Sequence, residues 1–137
     1  MTNELIQKRL WTAGTLAQRC EFKKAYALLD RVLRIYPEDL RVHAAYAEAL
    51  EVEVDFVGEV CECTIEKLRK ARKHHYFVLR HTTNFQSGYV HKAIHGLLRQ
   101  ARFLGKKRYE IRLAQIFSQH RLHTYFVSTP RAERDSS

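Results

Sequence analysis

Apolar residues recur every three or four positions along most of this chain, a spacing that fits helices and little else. Ile6, Leu10, Ala13, Ala17 and Cys20 form one stripe, predicting a helix over residues 3–19. Phe22, Ala25, Leu29, Val32 and Tyr36 form a second, which Pro37 ends by pushing its predecessor out of the α region. Glu38 and Asp39 supply the negative charge that a helix start favours, and a third helix follows from Leu40 with Ala44, Ala47, Leu50 and Val54 on its apolar face. Residues 55–58 read as a short connection. The fourth stripe is Cys61, Ile65, Leu68, Tyr76 and Leu79, and residues 81–84 break the pattern. Thr83 and Gln86 stand at capping-box spacing before Val90, Ile94, Leu97, Ala101 and Leu104, and Gly105 sits where a left-handed cap belongs. A sixth helix from Lys107 presents Tyr109, Leu113, Ile116, Phe117 and His120. Five glycines and two prolines are too few for a fold of many short strands, and only Tyr125, Phe126 and Val127 resemble strand. The expectation is an all-α fold of about six helices in one domain over residues 1–128. The polar stretch 129–137, with Pro130, is expected to be a disordered tail.

Charge divides the chain. Residues 1–66 carry 8 Lys and Arg against 12 Asp and Glu, whereas residues 67–137 carry 16 against 3. The excess in the second half exceeds anything the first can neutralise, so a basic surface is expected whatever the fold. Such asymmetry suits an anionic partner, and also plain solvation.

A second regularity has a longer period. Sliding the sequence 34 residues along itself places Ala13 on Ala47, Leu16 on Leu50, and Glu21-Phe22 on Asp55-Phe56. That period, with Ala13 and Ala25 as small residues at a helix crossing, Leu16 and Leu29 as large ones, Phe22 opening the second helix and Pro37 closing the unit, resembles the tetratricopeptide (TPR) family. Small residues at a crossing let two helices approach, and large ones fill the space between layers. The second unit departs from the pattern: Glu59 falls on a small position and Ala71 where proline is expected. An insertion of two residues near Gly58 would place Cys61 and Ile65 in register. Cys20 stands where the family's turn has glycine. The likeness covers residues 1–80, leaving 81–128 as a basic helical hairpin.

The resemblance implies antiparallel helical hairpins and binding without catalysis: an adaptor or chaperone whose groove holds a peptide or helix of a protein partner. Groove positions are expected on the outward faces of the first and third helices, at Asn3, Lys8, Trp11, Thr12, Arg41 and Tyr46. Trp11 lies one position off its stripe, which suits the groove or a cap on the end of the stack. Self-association is the other use of such a surface.

The basic half offers an alternative, binding of RNA or DNA. Lys67, Arg69, Lys70, Arg72 and Lys73 crowd one helix and are followed by His74, His75, Tyr76 and Phe77. Arg99, Arg102, Lys106, Lys107, Arg108 and Arg112 surround Gly105. Basic side chains neutralise phosphates and exposed aromatics stack on bases. If the fourth and sixth helices lie side by side, the two clusters form one patch. No helix-turn-helix, zinc-finger or RNA-binding sheet signature accompanies them.

Metal and catalytic motifs are lacking. Cys61 and Cys63 diverge by about 200° on a helix, and His91 and His95 lack a third ligand and the zincin glutamate. His43, His120 and His123 read as satisfied or solvent-facing. No P-loop, dinucleotide turn or nucleophile elbow occurs, and no carboxylate lies between Glu66 and Glu110. Neither enzyme activity, metal nor cofactor is expected. No apolar run approaches the roughly 18 residues of a membrane span. Asn3, Glu4, Gln7, Lys8 and Arg9 interrupt any leader, and three cysteines that cannot all pair suit a reducing, cytoplasmic setting.

Overall fold

A computed structural model of the chain describes residues 2–82 and 88–119, apart from the side chains of Phe117 and Gln119. The described residues form six helices and no strand: α1 (Asn3–Gln18), α2 (Phe22–Ile35), α3 (Leu40–Val57), α4 (Glu62–His81), α5 (Gly88–Phe103) and α6 (Lys107–Gln119). The Thr83–Gln86 capping box, His120, His123, the strand-like residues 125–127 and the tail 129–137 lie outside the described residues.

Local chemistry sets the helix ends. Thr2 Oγ1 accepts the Leu5 N–H at the start of α1, and the Asp39 carboxylate accepts the Arg41 N–H at the start of α3. α3 runs three residues further than periodicity suggests, through Val57, and stops where Gly58 turns left-handed at φ +77°. α1 ends in a Schellman turn: the Glu21 N–H reaches Leu16 O and the Cys20 N–H reaches Ala17 O, each at 2.9 Å. Cys20 therefore leaves the apolar stripe and adopts φ +63° on the exposed surface. α5 ends in the same bond pattern, with Gly105 at φ +68° in the corresponding place.

Each helix pairs with the next in a hairpin, α1 with α2, α3 with α4 and α5 with α6. α1, α3 and α5 also neighbour one another in chain order, while α2 packs on α3 and α4 on α5. Alanines occupy the closest approaches: Ala13, Ala17, Ala25 and Ala49 surround Leu29, and Ala47 and Ala71 flank Leu50. Val90, Ile94, Leu97 and Leu113 form the core of the last three helices, with Tyr76, Leu79 and Tyr109 packed around it.

α4 buries a different face from the expected one. Thr64, Leu68, Ala71, His75 and Val78 are its buried residues, while Cys61 caps the helix and Ile65, Tyr76 and Leu79 are half-buried. Two polar members of that face have internal partners. Thr64 Oγ1 donates to Glu59 O at 2.8 Å and accepts the Cys61 N–H at 2.9 Å. His75 Nε2–H donates to Glu51 Oε2 at 3.1 Å.

Candidate functional site: a groove across α1, α3 and α5

Residues four and seven apart on α3 share a face, and Ala44, Ala45, Glu48, Val52 and Asp55 face away from buried Ala47, Leu50 and Val54. Two depressions flank this strip. One, of about 440 Å³, lies between α1 and α3 and is lined by Trp11, Gly14, Thr15, Gln18, Ala45 and Ala49 among others. The other, of about 420 Å³, lies between α3 and α5 and includes Glu51, Asp55, Tyr89, Lys92, His95 and Arg99. Glu48 and Val52 line both, so the depressions meet along α3 as one groove.

Trp11 is 73% exposed beside the buried pair Ala13 and Ala17, and lines the groove rather than capping the stack. Glu51 lies at the floor of the α3–α5 side. It accepts from buried His75 and stands 3.5 Å from the Arg99 guanidinium. Gly96 allows this approach: a Cβ there would lie 2.5 Å from His75 Cε1 and 2.9 Å from Glu51 Oε2, and closer still to His75 Nε2. Burial, reinforced by neighbouring Arg99, lowers the His95 pKa and favours its neutral ring.

The other expected groove residues sit differently. Lys8 is exposed one turn before Trp11. Thr12 is rotated away from the groove, and its hydroxyl donates to Lys8 O at 2.9 Å. Arg41 lies on the groove side of α3, but its guanidinium is held by Asp39, with Nη2 2.8 Å from Oδ2, and by Asn3 Oδ1. That pairing holds the Asp39 carboxyl below its ordinary range and ties the start of α3 to the start of α1. Arg41 and Asn3 are thus struts rather than free contacts.

Tyr46 is not in the groove. It lies on the opposite side of α3, stacked between Tyr26 and His74, and its hydroxyl donates to Asp30 at 2.6 Å. The stack continues through His43, Phe77 and His81. Because Pro37 O can only accept, His43 must donate from Nε2, at 2.7 Å. Its Nδ1 then accepts from His74 Nδ1–H at 2.8 Å. Burial drives the His74 pKa down to about 4, and the adjacent His43 adds to the shift.

The eleven basic residues divide into paired and exposed members. Arg99 opens into the groove and Arg102 pairs with Glu110. Lys67 lies 3.4 Å from Glu53 and over the Tyr26 ring, and Arg69 pairs with Glu66 at 2.9 Å. Lys70 and Lys73 on α4, and Lys106, Lys107, Arg108 and Arg112 around and along α6, are exposed; Arg72 is half-buried. α4 and α6 meet at the Tyr76 and Tyr109 hydroxyls, 2.6 Å apart.

Among the described residues no group of three or more His, Cys, Asp or Glu side chains is placed to hold a metal ion, and no helix is long and apolar enough to cross a membrane. Cys20, Cys61 and Cys63 are free thiols. Sequence reasoning missed Gly14, Thr15, Gln18, Glu48, Val52, Tyr89, Lys92 and His95 as groove residues. The available signal was the set of positions on α1, α3 and α5 that lie opposite the alanines. No protein-family model, curated protein or solved structure matches the chain.

Proposed function

We propose that this chain is a TPR-like, non-enzymatic adaptor or chaperone of the cytoplasm, holding a peptide or helix of a protein partner in the groove across α1, α3 and α5. The observation that carries this reading is the exposed Trp11 at the side of a groove that crosses three helices. An indole covered by a partner buries on the order of 150 Å² or more, roughly 3–4 kcal/mol of apolar transfer before ordering costs. A ligand lying across α3 would meet Trp11 on one side, Glu48 and Val52 in the middle, and Lys92 and Arg99 on the other. Free thiols agree with a reducing compartment.

Selection of helical and extended peptides from a displayed library tests the reading directly. Because Trp11 is the chain's only tryptophan, bound peptides are expected to shift its fluorescence. Trp11→Ala should weaken them by roughly 30-fold, about 2 kcal/mol, and Val52→Arg should abolish binding. Binders that leave the fluorescence unchanged and tolerate both substitutions would refute the groove as the site. Competition by a second copy of the chain would instead identify self-association as its use.

A further inference from the structure

Away from the groove, α4 carries Arg69, Arg72, Lys73, Tyr76 and Arg80 at helix spacing along one edge. Arg69 is occupied by Glu66, but Arg72 and Arg80 lie close enough to Tyr76 to favour loss of its proton, and the Arg80 guanidinium is 6.0 Å from the Tyr76 ring centre. Against that edge α6 brings Tyr109, with Arg108 beside it and Arg112 one turn on. The two hydroxyls, 2.6 Å apart, share one proton in a hydrogen bond and leave the other O–H to find an acceptor. Among the described residues neither hydroxyl makes a further hydrogen bond. Burial, the Tyr109 hydrogen bond and the Tyr109 charge raise the Tyr76 pKa to about 12, so the hydroxyl stays protonated and able to donate at neutral pH.

A spare O–H donor at a half-buried site between arginines suits an anionic oxygen acceptor. On α4 the cations run in a row along the helix, with Arg108 and Arg112 of α6 beside it, which suits one line of charges. The one carboxylate on α6, Glu110, is taken by Arg102 rather than by these cations. We propose that the α4–α6 face is a second binding site, one for single-stranded nucleic acid held by its phosphodiester oxygens at the tyrosine pair and the flanking arginines. Arg forks and a tyrosine donor match phosphate oxygens, and the half-buried rings offer edges to unpaired bases. Recognition is through the backbone and therefore tolerant of sequence.

The cations expected to neutralise phosphates are Lys70, Arg72, Lys73, Arg80, Arg108 and Arg112. Six such contacts to a single strand give a log–log salt slope of about −4, a loss of roughly 300-fold in affinity between about 50 and 200 mM salt. The test is fluorescence anisotropy of labelled oligo(rU) and oligo(dT), about 20 nucleotides each, titrated with the full chain. A 2′-hydroxyl contribution would appear as preference for oligo(rU), and equal affinity would assign the site to the shared backbone. Replacing Arg72, Lys73 and Arg80 together by Gln should flatten the slope by about 2, while Lys23→Gln with Lys24→Gln on α2 should leave it unchanged. Tyr76→Phe with Tyr109→Phe removes both hydroxyls and no charge, so affinity should fall several-fold at an unchanged slope. Circular dichroism of each variant establishes that it is folded. The proposal is overturned by absence of binding at the lower salt, by equal effects of the α2 and α4 substitutions, or by poly-glutamate competing as well as unlabelled oligonucleotide. That last outcome would assign the face to acidic proteins.

Discussion

Replacing glycine by alanine inside a helix ordinarily stabilises it by about 1 kcal/mol, because alanine loses less backbone entropy. Gly14 and Gly96 should answer this substitution with opposite signs. Nothing lies within 4 Å of a Cβ at position 14, so Gly14→Ala should stabilise by about 1 kcal/mol. At position 96 the added methyl meets His75 and Glu51, whose side chains are 5% and 14% exposed and hydrogen-bonded to each other. Moving His75 away breaks a bond to a carboxylate, about 1.5–3 kcal/mol, and forces strain on a packed core, about 1–3 kcal/mol. Against these stands the helix gain of about 1 kcal/mol, leaving Gly96→Ala destabilised by roughly 1.5–5 kcal/mol. Urea unfolding followed by circular dichroism reads both variants on one scale, with the midpoint moving and the slope constant. His75→Ala supplies the internal control. Removing the ring removes the clash, so the double variant should be less damaged than the two single changes summed, by at least about 1 kcal/mol. If Gly96→Ala is as stable as Gly14→Ala, or if the two changes simply add, the close packing of α5 on the His75–Glu51 pair is refuted.

Three further outcomes follow from particular side chains. Cys20 holds a left-handed backbone that costs an L-residue about 1–2 kcal/mol, and its side chain is exposed, so Cys20→Gly should raise stability by about 0.5–1 kcal/mol despite the freer unfolded chain. Gly105→Ala should lose a similar amount by the reverse argument, and thermal unfolding checks both. His74 is neutral in the fold down to about pH 4, whereas the unfolded chain takes its proton near pH 6.5. Acidification therefore favours the unfolded state progressively between those values and adds nothing further below about pH 4. His43 and His95 shift the same way, so a loss of roughly 3 kcal/mol or more between pH 7 and 4 is expected, and pH-independent stability over that window would contradict the buried pair. A hydrogen bond from the Thr64 backbone N–H favours the Cys61 thiolate at the start of α4. Iodoacetamide should accordingly modify Cys61 before Cys20 and Cys63, an order that mass spectrometry reads directly.

The helices and two of their caps were legible because both are local: Pro37, Gly105 and the apolar stripes act on neighbours in the chain. The buried face of α4 was not. Hydropathy ranks Ile65, Tyr76 and Leu79 as core, yet Thr64 and His75 are more buried because Glu59 and Glu51 satisfy their polar atoms. Only the fold brings those partners together. Tyr46 was misplaced for a related reason, since its stacking on Tyr26 and His74 joins residues 20 and 28 positions away. The exposure of Trp11 was legible, because a large aromatic one step off an apolar stripe is shifted about 100° from the core. The basic clusters were visible as charge, but their neutralisation by Glu51, Glu53 and Glu110 depends on which helices pack together.

The meeting of the two depressions at Glu48 and Val52 bears on how tightly a partner of the proposed kind would be held. A ligand with one anchor on each side of α3 is bivalent towards a single chain. Once the Trp11 side is engaged, the second anchor is presented to the α5 side at an effective concentration set by the ligand's own stiffness, in the millimolar range for a short flexible link. Two contacts too weak to detect separately then bind as one, and releasing either returns the ligand to rapid exchange. A change of a single residue in the partner's spacer, with no contact altered, would tune its residence time.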